Sequence, residues 1–120
     1  MWIYSQSSGH LWDSRGVHIA TGYSGLGEGK NAPKFEAVRN VGPIPRGLWV
    51  MGEAYHSDQL GPLAIPLYES GHNALERTYF RIHGDSAAHP GKASKGCVIQ
   101  GRAIRERMIA SGDRLFQVIE

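Results

Sequence analysis

The sequence predicts a mainly β protein, a single domain over residues 1–120 with one short helix near its C-terminal end. Three observations predict it. Turn formers run along the whole length, sixteen Gly and six Pro in 120 residues, with no low-complexity tract, repeat or linker to mark a domain boundary. Between them lie short segments rich in β-branched and aromatic residues, a composition that suits a pleated, half-buried surface. Only one stretch, "RAIRERMIASGD" at 102–113, repeats its apolar residues at helical spacing.

In chain order, "WIYSQ", "HLW" and "VHIATGY" read as the strands of a meander, separated by "SSG" and "DSRG". "SGLGEGKNAPKFEAVRN" reads as loop, because Gly25, Gly27, Gly29 and Pro33 interrupt any period. "GPIPRGLWVMGEAY" reads as a turn feeding a strand, with Pro43 and Pro45 tolerable only at its start or on an edge. "PLAIPLYE" and "TYFRIHG" are further strands. In the second, alternation turns Phe80 and Ile82 to the core and Tyr79, Arg81 and His83 to the polar face, with His83 at the strand end. The helix offers Ile104, Met108 and either Ala103 or Ile109 as its apolar stripe, and Gly112 as its stop. "RLFQVIE" closes the chain as a strand.

A chain of 120 residues can bury a core without staples, and a single Cys can form no internal disulfide, so packing alone must hold the fold. The net charge of +2 is compatible with an anionic polymer such as cell wall and equally with an ordinary solvated surface. It is too weak to argue for nucleic acid. No run approaches membrane-spanning length, so no membrane span is expected. The N-terminal "MWIYSQSSGHLW" has no basic region followed by an apolar run, so no cleavable signal is read there. A protein of this kind working outside the cytoplasm would travel by a route other than general secretion.

The chemistry concentrates in "IHGDSAAHPGKASKGCVIQG", residues 82–101, which holds the only cysteine, Cys97. A thiol attacks as the thiolate and needs a base, a group to orient that base and donors for the oxyanion. His83 can be the base, and the N–H groups around Gly96 and Cys97 can serve the oxyanion. Ser94 can hold the turn through its hydroxyl. His89 is a second candidate base. Blander readings stand beside these: a small buried thiol at Cys97, a strand-end histidine bonded to a carbonyl at His83, a loop residue at His89. A zinc site from His72, His83, His89 and Cys97 lacks the close ligand spacing of such sites, so no metal is expected, nor any other cofactor. His10, His18, His56 and His72 read as surface or structural residues.

The residues "IHGD…ASKGCVI" resemble the signature of the L,D-transpeptidases, in which a His followed by a small residue precedes a Ser-x-Gly-Cys turn. "YSGLGEGKNAP" followed by "NVGPIPRGLWVM" is similar to the small, signal-less branch of that superfamily that includes type VI secretion effectors and prophage proteins. The resemblance runs from Trp2 to Ile119 and implies an L,D-transpeptidase-like β-sandwich or meander.

It also implies an activity. Cys97 would attack the carbonyl between the third residue of a peptidoglycan stem peptide and the D-amino acid after it. His83 would be the base, oriented by the Gly84 carbonyl; N–H groups of Gly96 and Cys97 would form the oxyanion hole, and Ser94 would shape it. Water, a free D-amino acid or the amine of another stem would resolve the thioester, giving L,D-carboxypeptidase, exchange or cross-linking outcomes. Lys95 stands where the larger family often has histidine, and Val98 and Ile99 replace the polar or basic residue common after the Cys, so the departures concern substrate positioning. Arg81 and Arg46 are candidates to hold a stem carboxylate, or are solvated surface arginines; Lys95, His89 and Asp85 are the other candidates around the substrate. Asp85 would either orient His83 in place of Gly84 or cap the loop "DSAAHPG". The implied setting is a monomeric toxin, secreted without a signal peptide, acting in the target-cell periplasm, with a possible cognate immunity protein. Two other classes remain: a non-catalytic cell-wall-binding module, and a different Cys-His peptidoglycan hydrolase, against which stands the order of His before Cys.

Overall fold

The computed structural model describes residues 1–120 and is mainly β, with one α-helix. Its strands are β1 (Trp2–Ser5), β2 (His10–Trp12), β3 (His18–Thr21), β4 (Tyr23–Ser24), β5 (Gly47–Met51), β6 (Tyr55–Ser57), β7 (Gly61–Ser70), β8 (Arg81–His83), β9 (Val98–Ile99) and β10 (Leu115–Ile119). The helix α1 covers Arg102–Ser111. The long Gly-rich segment expected as loop holds two single-turn 3-10 helices, Gly27–Gly29 and Pro33–Phe35.

The strands form one mixed sheet in the order β3-β2-β1-β10-β5-β7-β8-β9-β4, with β6 paired onto β7. β1–β2–β3 is the expected meander, but β10 returns to lie between β1 and β5, parallel to β1 with Trp2 beside Phe116 and Tyr4 beside Val118. The two ends of this order, β3 and β4, are neighbours in the chain, separated by Gly22 alone. The sheet therefore curls until its edges adjoin. A Cβ on Gly22 would lie 1.9 Å from the Ile99 carbonyl oxygen, so no larger residue fits at the closure.

Inside the curl Tyr4, Leu11, Trp49, Ile65, Ile82, Val98, Met108 and Phe116 form a continuous buried core. Phe80 and Ile82 join it, as the alternation of "TYFRIHG" predicts, whereas Tyr79 is 80% exposed. The helix departs from its expected stripe. Met108 is buried and Ile104 packs against the core, but Ala103 and Ile109 are exposed and the third inward residue is Arg105. An arginine takes that place because three carbonyl oxygens, of Gln100, Pro62 and Leu63, await its donors there. Gly112 stops the helix as expected, in the left-handed conformation at φ 73°.

Candidate active site

The parallel pairing of β8 with β9 positions the chemistry. Ile82 lies beside Val98 and His83 beside Ile99, so by the same register Arg81 stands next to Cys97, immediately before β9. Residues two apart on a strand share a face. Cys97, Arg81 and His83 thus look out from one side of the two strands, while Ile82 and Val98 point to the core.

The turn that presents Cys97 is held from below. Ser94 is fully buried; its hydroxyl donates to the Cys97 carbonyl at 2.6 Å and accepts from the N–H groups of Gly96 at 3.0 Å and Gly25 at 2.9 Å. Ser24, also fully buried, donates to the Gly96 carbonyl at 2.8 Å and accepts from the Ile44 N–H at 2.8 Å. The "YSG" and "GPIP" segments are thereby tied to the "SKGC" turn by side chains inside the protein. Gly96 has φ 137°, and a Cβ there would lie 2.5 Å from the Arg77 Nη2. Only glycine meets both demands.

Arg77, not singled out by any pattern in the sequence, is the third tether. It is 5% exposed. Its Nη1 donates to the Glu36 and Pro43 carbonyls and its Nη2 to those of Gly42 and Lys95. Its guanidinium lies 5.1 Å from the Phe80 ring centroid. Nothing in "ALERTY" shows that the cation is paired with main-chain oxygens. Ser24 carried more signal, standing inside a motif that the resemblance had marked.

His83 is buried, and its Nδ1 lies 2.9 Å from the Gly84 carbonyl. A carbonyl can only accept, so Nδ1 carries the proton and Nε2 keeps its lone pair. Burial, together with the Arg81 and Arg105 guanidinium groups and against the pull of the Gly84 hydrogen bond, holds the imidazole below its ordinary pKa. The ring is therefore a neutral base near pH 7. Gly84 itself has the Arg105 Nη2 2.8 Å from where a Cβ would sit, so α1 supports the loop that orients the imidazole.

Cys97 is partly exposed, and its Sγ lies 3.6 Å from the Tyr79 carbonyl oxygen. No hydrogen bond joins it to His83. Burial pushes the thiol above its ordinary pKa, opposed by the Arg81 N–H and guanidinium and by the Arg77 charge. Of the two N–H groups expected in the oxyanion hole, that of Gly96 is committed to Ser94, whereas that of Cys97 makes no main-chain or side-chain hydrogen bond.

These groups open onto a cleft of about 540 Å³. Among its lining are Arg39, Arg77, Arg81, Lys92 and Lys95, and no Asp or Glu. The other expected substrate residues fall outside it. Arg46 turns away to Glu36 and Glu120, because Glu36 is anchored beside it by Gln6. His89 is exposed on the loop, its N–H on the Ser86 hydroxyl. Asp85 does not orient His83; it accepts from the Tyr23 hydroxyl at 2.6 Å and from the N–H groups of Ser86 and Gly91, which makes it the cap of that loop. His72 is structural, with Nε2 on the Leu48 carbonyl, Nδ1 on the Ala74 N–H and its ring against Trp49.

No curated protein and no solved structure matches the chain. The model of the Tlde1 domain matches residues 18–115, a span that takes in the Ser24 tether, the Pro-rich turn, His83 and Cys97. A match of that extent, over the segments that build this cleft, establishes that the chain belongs to the Tlde1 domain family, a family of type VI secretion effectors.

Proposed function

We propose that this protein is a cysteine enzyme of peptidoglycan stem peptides, of L,D-transpeptidase type, delivered as an antibacterial toxin to the periplasm of a target cell. The observation that carries this reading is the placement of Cys97 and a neutral His83 on one face of adjacent parallel strands, in a cleft with five cationic side chains and no carboxylate. Stem peptides bring several carboxylates to the reacting bond, and a cleft lined by one sign of charge gathers ligands of the other.

In this mechanism Cys97 Sγ attacks the carbonyl carbon that follows the third stem residue, with the thiol proton passing to His83 Nε2. The free Cys97 N–H donates to the oxyanion. The tetrahedral intermediate collapses with cleavage of the amide; His83 returns the proton to the leaving amine, and a thioester remains on Cys97. Water, a D-amino acid or a neighbouring stem's amine then attacks the thioester and frees the thiol. Lys95, on the cleft wall, holds a stem carboxylate. A cognate immunity protein would protect the producing cell by covering this cleft.

The test is mass spectrometry of purified tetrapeptide muropeptides, with and without added D-methionine, after incubation with the wild type and with Cys97→Ala. Tripeptide, exchanged tetrapeptide or cross-linked dimer is expected with the wild type only. Unchanged stems with folded wild-type protein would overturn the reading in favour of a cell-wall-binding module.

A further inference from the structure

The ordinary partner of a catalytic thiolate is an imidazolium, yet here the imidazole and the thiol share no hydrogen bond, and the nearest cation to Cys97 is an arginine. We propose that Arg81 is the residue that stabilises the Cys97 thiolate when His83 Nε2 takes the thiol proton, the proton that His83 then returns to the leaving amine. This inference rests on Cys97 being the nucleophile of the reading above, though on no particular substrate.

Three observations support it. The β8–β9 register puts Arg81 beside Cys97, whereas His83 lies two positions further along β8. Two residues of strand advance by about 6.6 Å, so the backbone of Arg81 lies nearer to Cys97 than that of His83 does. Next, Arg81 Nε is buried and makes no hydrogen bond, although its Nη1 is fixed by the Tyr55 hydroxyl at 3.2 Å. A buried guanidinium donor without a partner is uncommon and costly, and an anion at Cys97 Sγ would satisfy it. Finally, the buried cation nearby is already committed: Arg77 spends Nη1 and Nη2 on four carbonyls. It contributes charge at a distance, without a donor to offer.

The remaining groups around the thiol fall into two sets. Tyr79 places its carbonyl against Sγ and favours the protonated thiol. Lys92 and Lys95 of the Cys97 loop, and Arg39, line the cleft with Arg81 and favour the thiolate. Arg81 differs from the lysines in holding its charge at every relevant pH. Ionisation of the thiol breaks its hydrogen bond to Tyr79 and makes one to Arg81, so the proposed switch is a change of partner within one turn.

Thiol alkylation by iodoacetamide tests this without any cell-wall substrate. In that reaction the thiolate displaces iodide and forms a carbon–sulfur bond, so its rate follows the thiolate fraction. Rates across pH 5–10 should show Arg81→Gln shifted upward by about 1–3 pH units relative to the wild type, with about tenfold or greater loss of rate at pH 7. Arg81→Lys should recover part of the shift. Tyr55→Phe, which frees Nη1 and leaves the charge, should give a smaller shift and keeps the test open if Arg81→Gln does not fold. His83→Gln should leave the alkylation profile in place while removing turnover. An upward shift in His83→Gln matching or exceeding that in the Arg81 variants would overturn the proposal and restore a Cys-His ion pair, as would profiles unmoved in both Arg81→Gln and Tyr55→Phe. Failure of stem-peptide turnover with these shifts present would count against the substrate alone.

Discussion

At the scale of single residues, the site depends on a buried cation that has no carboxylate. Arg77 satisfies four carbonyls at once, and they belong to segments distant in sequence: Glu36, Gly42 and Pro43 on one side, Lys95 on the other. Arg77→Met keeps much of the side-chain volume but strands those oxygens. Each buried carbonyl left unpaired costs about 1–3 kcal/mol, and losses from one substitution seldom pass about 4–5 kcal/mol in total, so a loss of about 3–5 kcal/mol is expected. Urea unfolding would measure it, and a midpoint equal to the wild type's would show that water replaces the guanidinium. Activity should fall further than stability does, because Lys95 and Gly96 belong to the turn that aims Cys97.

At the scale of elements, the segment before β8 is the most strained in the chain. Ala74, Leu75 and Glu76 hold φ of 53°, 54° and 65°, and Tyr79 holds 63°. Consecutive left-handed residues other than glycine are rare because each costs about 1–2 kcal/mol, and strain of this kind gathers at functional sites. Here it brings the Tyr79 carbonyl to Cys97 Sγ. Leu75 is 48% exposed and makes the turn without filling the core. Leu75→Gly should therefore stabilise the protein by about 1 kcal/mol, visible as a higher Tm; an unchanged or lower Tm would mean that the turn is relaxed by contacts of the leucine itself. This element was also the least legible in the sequence. Strands such as "HLW", "GLWVM" and "LFQVI" announce themselves by composition, and the alternation in "TYFRIHG" sorted Phe80 and Ile82 from Arg81 and His83. The candidate nucleophile Cys97, the candidate base His83 and the Gly84 carbonyl beside it could likewise be read from a short motif. A left-handed turn of Ala, Leu and Glu has no local preference behind it, and the partners of Ser24, Arg77 and Arg105 are main-chain atoms that only the tertiary fold brings near. Arg46 and Asp85 show the same limit: their charge is visible in the sequence, whereas their partners, Glu36 and Tyr23, are not.

At the scale of the whole molecule, acid should destabilise the protein in two separate ranges. His83 has a folded pKa below its ordinary 6.5, so the unfolded chain binds more protons there, and stability declines as pH falls from about 6.5 towards the folded value. Asp85 works lower. Burial would raise its pKa, but the Tyr23 hydroxyl and the Gly91 and Ser86 N–H groups together hold it below the usual carboxylate range. Its contribution is complete above the unfolded carboxylate pKa and is lost as pH falls through the folded one. Thermal melts between pH 8 and 3 should show both declines, and His83→Gln should flatten the upper one only; a slope near pH 6 that persists in that variant would assign it to another group. The order of strands carries one more consequence. Because β10 lies between β1 and β5, the halves of the sheet cannot pair until it is in place. The strand is a splint between two flaps, β3-β2-β1 on one side and β5-β7-β8-β9-β4, which bears the cleft, on the other. Seating that one strand is therefore the step that makes a single sheet of two.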